Sequence, residues 1–128
     1  MKVNGSRIGA MLVLLAVSGV TGCFLKSSGP ATTPEPIVLQ VENRHWSDVT
    51  VSVVHDGVPN RLGVATAASQ SQFRLPPHTL GSTGAVSFVA DPVGSTGVLR
   101  SETVVVKPGQ YVTWNLERDL RRSTLTVH

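Results

Sequence analysis

Cysteine is all but missing from this chain: 128 residues contain one, Cys23. A single cysteine can close no intramolecular disulfide and cannot build a multi-cysteine zinc site. Aromatic residues are equally sparse, at 5%, so any core must rest mainly on aliphatic side chains. Charge of one sign is not abundant either. Lysine and arginine total 11 against 8 acidic residues. Lys2 and Arg7 fall in an N-terminal leader, and beyond it nine basic residues face eight acidic ones, a net charge near +1. A balance that close lacks the concentrated basic footprint of a nucleic-acid binder, and no nucleic-acid partner is expected. The longest apolar run, residues 8–17, falls short of the roughly 20 residues a membrane-spanning helix needs.

Recognisable chemistry is missing as well. The histidines, His45, His55, His78 and His128, include no closely spaced pair of the kind that ligates zinc. Serine, histidine and aspartate are all present, but no G-x-S-x-G nucleophile turn occurs. The repeated Gly-Ser-Thr-Gly at 81–84 and 94–97 lacks the following Lys-Ser/Thr of a phosphate loop and is read as two flexible turns. No cofactor, metal or catalytic residue is expected, and the chain is read as non-catalytic.

What the chain does have begins at its N-terminus. Residues 1–7 are polar and twice positively charged, residues 8–17 are apolar, and small residues follow to Gly22. A charged start, a short apolar stretch and a small-residue exit describe an export signal. The exit, Val20-Thr21-Gly22-Cys23, resembles the bacterial lipobox. That resemblance implies a signal peptide over 1–22, cleavage after Gly22, and fatty acylation such as palmitate at Cys23. Two or more acyl chains anchor a protein stably where one does not. Position 24 is Phe rather than Asp, so no inner-membrane retention signal is evident and the outer membrane is the expected destination. Residues 23–36 form the lipidated cysteine and a Pro/Ser/Thr-rich tether, whose prolines disfavour helix and ladder alike. Its thirteen residues after Cys23 reach roughly 40 Å when extended at about 3.1 Å each.

From residue 37 the pattern changes to short alternating runs. Ile37, Leu39 and Val41 share one face; so do Val49, Val51 and Val53; so do Val112, Trp114 and Leu116. Asp56-Gly57 is a strong hairpin signal, and Pro76-Pro77 and Pro108-Gly109 end or turn other runs. Val104, Val105 and Val106 read as part of a central strand over 98–107, apolar on both faces. Seven or eight strands at roughly 8–12 residue spacing predict an all-β fold, an antiparallel β-sandwich over 37–128. The expected core is Leu39, Val41, Val49, Val51, Val53, Leu62, Val64, Phe73, Leu75, Val86, Phe88, Val104, Val112, Trp114, Leu116, Leu125 and Val127. The spacing resembles immunoglobulin-like or transthyretin-like sandwiches, and the whole layout resembles small uncharacterised bacterial lipoproteins with one β-domain. The Cys-Trp-Cys pattern of antibody domains is absent.

Two loops carry the candidate contact residues. In one, Arg44, His45 and Trp46 are candidates for binding a partner, because Trp and Arg recur among interface hot spots; the competing expectation is that Trp46 folds back to cover an open end of the sandwich. In the other, Arg118, Arg121 and Arg122 are candidates for an anionic contact, against the alternative of a solvated turn paired internally with Glu117 and Asp119. The expected role is that of a membrane-anchored envelope lipoprotein, a binding or structural module in a cell-surface or periplasmic assembly, with an envelope protein or glycan as partner. An exposed edge at 123–127 could take a partner strand. The alternatives are carbohydrate or peptidoglycan binding through Trp46 and Tyr111 and, further off, a small hydrolase.

Overall fold

The computed structural model describes residue 29 and residues 33–128. The expected signal peptide over 1–22, Cys23 and most of the expected tether lie outside the described residues. The described chain is all-β, with nine strands in two mostly antiparallel sheets and no α-helix. The strands are β1 (Ile37–Asn43), β2 (Val49–His55), β3 (Val58–Ala65), β4 (Ser69–Leu75), β5 (Ala85–Pro92), β6 (Leu99–Arg100), β7 (Val104–Val105), β8 (Tyr111–Leu116) and β9 (Thr124–Val127). One sheet has the order β4-β1-β8-β9; the other has β3-β2-β5-β6, with β7 also pairing with β5. Alternation sets the layers, because side chains of a strand point to opposite faces with a period of two. Every second residue of β1 and β8 is buried, and the same holds for Val49, Val51 and Val53 of β2. These side chains meet Val86, Phe88 and Ala90 of β5 in one aliphatic core. Trp114 is its largest member and packs against Phe88 with ring centroids 5.9 Å apart. The arrangement is that of a β-sandwich.

The Asp56-Gly57 signal holds. Both residues take positive φ, 49° and 79°, as a two-residue turn of the Asn/Asp-Gly type requires, and His55 pairs with Val58 across it. One pairing departs from the antiparallel expectation: β1 and β8 run parallel, with Leu39 opposite Val112 and Val41 opposite Trp114. Alternation dictates which face a residue occupies and leaves strand direction open. The order also differs from that of antibody constant domains, where the first strand shares its sheet with the second, fourth and fifth. Here β1 lies between β4 and β8, and β2 belongs to the other sheet.

Two expectations are corrected. The run 98–107 is neither one strand nor central. It splits into β6 and β7 along the same edge of β5, and Val105 is 60% exposed. Between the two pieces the Ser101 hydroxyl accepts a hydrogen bond from the Phe88 amide at 2.8 Å, while the Ser101 amide donates to the Phe88 carbonyl at 2.8 Å. One serine thus takes over the ladder where the strand breaks. Leu62 and Val64 do not share a buried face. The register between β2 and β3 shifts at Val51/Ser52, and the unpaired Leu62 is the extra residue of a bulge. Val64, opposite Thr50, turns outward, and Ala65, opposite Val49, is fully buried. Phe73, Val104, Leu125 and Val127 pack against the core but are only partly buried; Ile37, Leu80, Ala90 and Val106 complete it.

Candidate functional site

The end of the sandwich where β1 stops is organised by a buried carboxamide. The alternation of Ile37, Leu39 and Val41 continues inward for one more step, to Asn43, which is 1% exposed. A polar group buried so completely must find partners, and Asn43 does. Its Nδ2 donates to the carbonyls of Ser47, Ala65 and Thr66 at 3.0, 3.0 and 3.2 Å. Its Oδ1 accepts the His45 amide at 3.0 Å. The loop after β1 is thereby tied to the end of β3. The imidazole of His45 is buried beneath the loop, where the Ser47 amide donates to its Nδ1 at 3.2 Å and the Ser47 hydroxyl lies 2.9 Å from the same nitrogen. Trp46 packs one face on this ring, centroids 5.1 Å apart, and is otherwise 71% exposed. It does not plug the sandwich. The space it was expected to cover is filled by His45 and the Asn43 bonds.

The loop after β8 arrives at the same place. β1 and β8 run parallel and in register, so both end at this pole, and the Arg44 amide donates to the Leu116 carbonyl at 2.8 Å. The acidic residues here are already engaged. Glu42 and Glu117 both bind the Arg44 guanidinium, at 3.0 and 3.1 Å. The side-chain bond from Glu42 first, then the charges of Glu42 and Glu117, hold the Arg44 pKa above its ordinary value. Asp119 caps a short 3-10 turn, Leu120–Arg122, by accepting the Arg121 amide. Asp48 accepts the Ala67 amide at 2.8 Å. The expected internal pairing of the arginine turn therefore does not form: Arg118, Arg121 and Arg122 are exposed and make no ion pair among the described residues.

The two loops that read as separate candidates thus form one surface. Arg44, Arg118 and Arg122 border one shallow depression. His45, Arg118, Asp119, Leu120 and Arg121 border a second, of about 320 Å³, which residues of the 95–99 segment complete. The loop between β5 and β6 belongs to the same pole, since the Val93 amide bonds to the Asp48 carbonyl at 2.8 Å. It adds Val93 and Val98, 56% and 60% exposed. Tyr111 lies elsewhere. It starts β8, at the end where the chain enters β1, and its ring packs against His128 at 6.0 Å. The length of β8 separates it from the Trp46 pole, about 17–20 Å at 3.3 Å per residue, so the two rings form no common platform.

The other candidates are dispersed. His55 bonds to the Ala85 carbonyl at 3.0 Å and meets Asp56 at 3.1 Å, and His78 lies in the 3-10 turn Pro77–Leu80. Among the described residues no three His, Cys, Asp or Glu side chains group as a metal site. The Ser47–His45 contact is a brace within one turn. Edge strand β9 is where the sequence placed a free edge, beside β8 alone. Asn43 escaped the sequence reading, although the signal was present: an asparagine in the inward phase of an alternating strand must be a buried, fully bonded amide. No protein-family model matches this sequence, and no curated protein matches it, so its functional reading rests on this geometry.

Proposed function

We propose that this chain is a lipid-anchored, non-catalytic envelope lipoprotein whose sandwich serves as a binding module and engages its partner through the Trp46 pole. The lipobox resemblance at Val20-Thr21-Gly22-Cys23 supports the anchor, and the absence of Asp at position 24 supports the outer membrane. Of the two sandwich resemblances, the strand order favours the transthyretin-like one, because β1 does not share a sheet with β2. The observation that carries the reading is the gathering of an exposed Trp46 and three guanidinium groups, none in an ion pair among the described residues, on one end of the domain. That end is opposite the one where the tether enters: Glu35 accepts the Gly109 amide beside the start of β1 and β8, and the pole lies at the finish of both strands. A domain held to a membrane through residues 23–36 would present such a pole outward.

The test is photocrosslinking in cells. The full chain carries a benzophenone amino acid at position 46, 93 or 121, or at the control position 58, where Val58 is exposed on edge strand β3. Membrane-associated adducts confined to the three pole positions are expected. Adducts absent at the pole, or equally strong at position 58, would refute the reading.

A further inference from the structure

The pole has a composition that narrows the chemistry of its partner. All four of its basic residues among the described ones, Arg44, Arg118, Arg121 and Arg122, are arginine; the one described lysine, Lys107, lies near the start of β8, at the other end. Arginine and tryptophan are enriched in protein interfaces and lysine is depleted, because a planar, weakly hydrated guanidinium loses less on desolvation and pairs with carboxylates through two bonds. Three of the large apolar side chains exposed in the described residues, Trp46, Val93 and Val98, stand on the same pole. A polysaccharide would use the Trp46 ring but has little to gain from Val93 and Val98. On the proposed anchoring through residues 23–36, a membrane would face the opposite end, where Glu35 meets Gly109. The cleft between the loops after β5 and β8 is lined by the apolar Val98, Leu99 and Leu120 and by Arg118, Asp119 and Arg121, and the Asp119 carboxylate is engaged by the Arg121 amide. Its volume, about 320 Å³, is at the lower end of ligand pockets and is enough to admit one apolar side chain. The Asn43 bonds and the His45 ring hold Trp46 in place before any partner arrives, which lowers the ordering cost of association.

We infer that the partner is a protein segment rich in Asp and Glu that inserts one apolar side chain between the Val98-Leu99 side of the cleft and Leu120 while its carboxylates pair with Arg118, Arg121 and Arg122. The inference rests on the reading of the pole as the binding surface and adds the chemistry of what binds there.

The full chain, purified in detergent, is panned against a phage-displayed random 12-residue peptide library, with a Trp46→Ala/Arg118→Gln/Arg121→Gln variant for counter-selection. Circular dichroism and the emission of the buried Trp114 show whether that variant keeps its fold. Enriched peptides are then titrated by fluorescence, alongside alginate and phosphatidylglycerol vesicles. The expected result is peptides combining several acidic residues with a Leu, Ile or Phe. Their affinity should fall at least about 10-fold with either Trp46→Ala or Arg121→Gln, and should fall again as salt rises. Enrichment without acidic residues, equal binding by the variant, or tighter binding of alginate or vesicles than of any peptide would overturn the inference. Pole-specific crosslinks in cells together with any of those results would leave the binding pole standing and remove only its acidic protein partner.

Discussion

Asn43 shows how much one buried amide can organise. It satisfies three carbonyls and one amide from four different residues, and the loop presenting Trp46 hangs on those bonds. Truncating it leaves buried carbonyls without donors, and each such orphan costs about 1–3 kcal/mol. Asn43→Ala is therefore expected to destabilise the protein by at least about 2 kcal/mol in urea unfolding and to raise the access of iodide to the Trp46 indole. Asn43→Asp should be at least as damaging, since a carboxylate would face three carbonyl oxygens. A stability within about 0.5 kcal/mol of wild type for either variant would show that the loop does not depend on these bonds. The ion pairs of Arg44 are a contrast. Its side chain is 53% exposed, and solvent screening leaves such pairs little effect on stability. Their effect here is on availability: they withhold Glu42 and Glu117 from the neighbouring arginines, while the remaining acid of the turn, Asp119, accepts the Arg121 amide.

At the scale of elements, the valine run 104–106 teaches most. Three consecutive valines suggest a strand buried on both faces, yet the segment lies at a sheet edge, where Val105 faces solvent and Val106 is 2% exposed. The physical distinction is whether a second strand covers the outer side, and composition carries no information on that. The two positions should respond oppositely. Val105→Lys is expected to change stability by no more than about 0.5 kcal/mol, and to guard the edge against association with another chain. Val106→Asp places an unpaired carboxylate in the core, a change that exceeds the margin of a small domain, and should leave no cooperative thermal transition. Equal effects at both sites, read by differential scanning calorimetry, would contradict the placement of this edge. The β3 bulge makes the same point: one extra residue at Leu62 reverses the phase of the alternation, so Val64 and Ala65 exchange faces relative to a regular strand.

For the molecule as a whole, the two ends of the sandwich differ in what they gather. The parallel pairing of β1 with β8 puts Glu35 and the start of both strands at one end and the Trp46 and arginine loops at the other. The anchor itself is tested by Cys23→Ala in the full chain: the variant is expected to lose incorporation of labelled palmitate and to leave the detergent phase for the aqueous phase on Triton X-114 partitioning, while wild type remains with detergent. Retention of the variant in membranes after export would show that something other than Cys23 holds it. Much of this architecture was legible before any coordinates. Alternation of Val, Leu and Ile identified most strands and most of the core, and Asp-Gly located a hairpin, because face and turn geometry are local properties that side chains impose on two or three neighbouring residues. The sequence by itself thus determined an all-β domain and its inward faces. Tertiary structure alone decided that β1 and β8 run parallel, that two loops seventy residues apart share one pole, and that the acids there bind Arg44 and backbone amides instead of the remaining arginines. Those are matters of which distant segments meet, and hydrophobic periodicity is blind to them because every pairing of the same strands buries the same side chains.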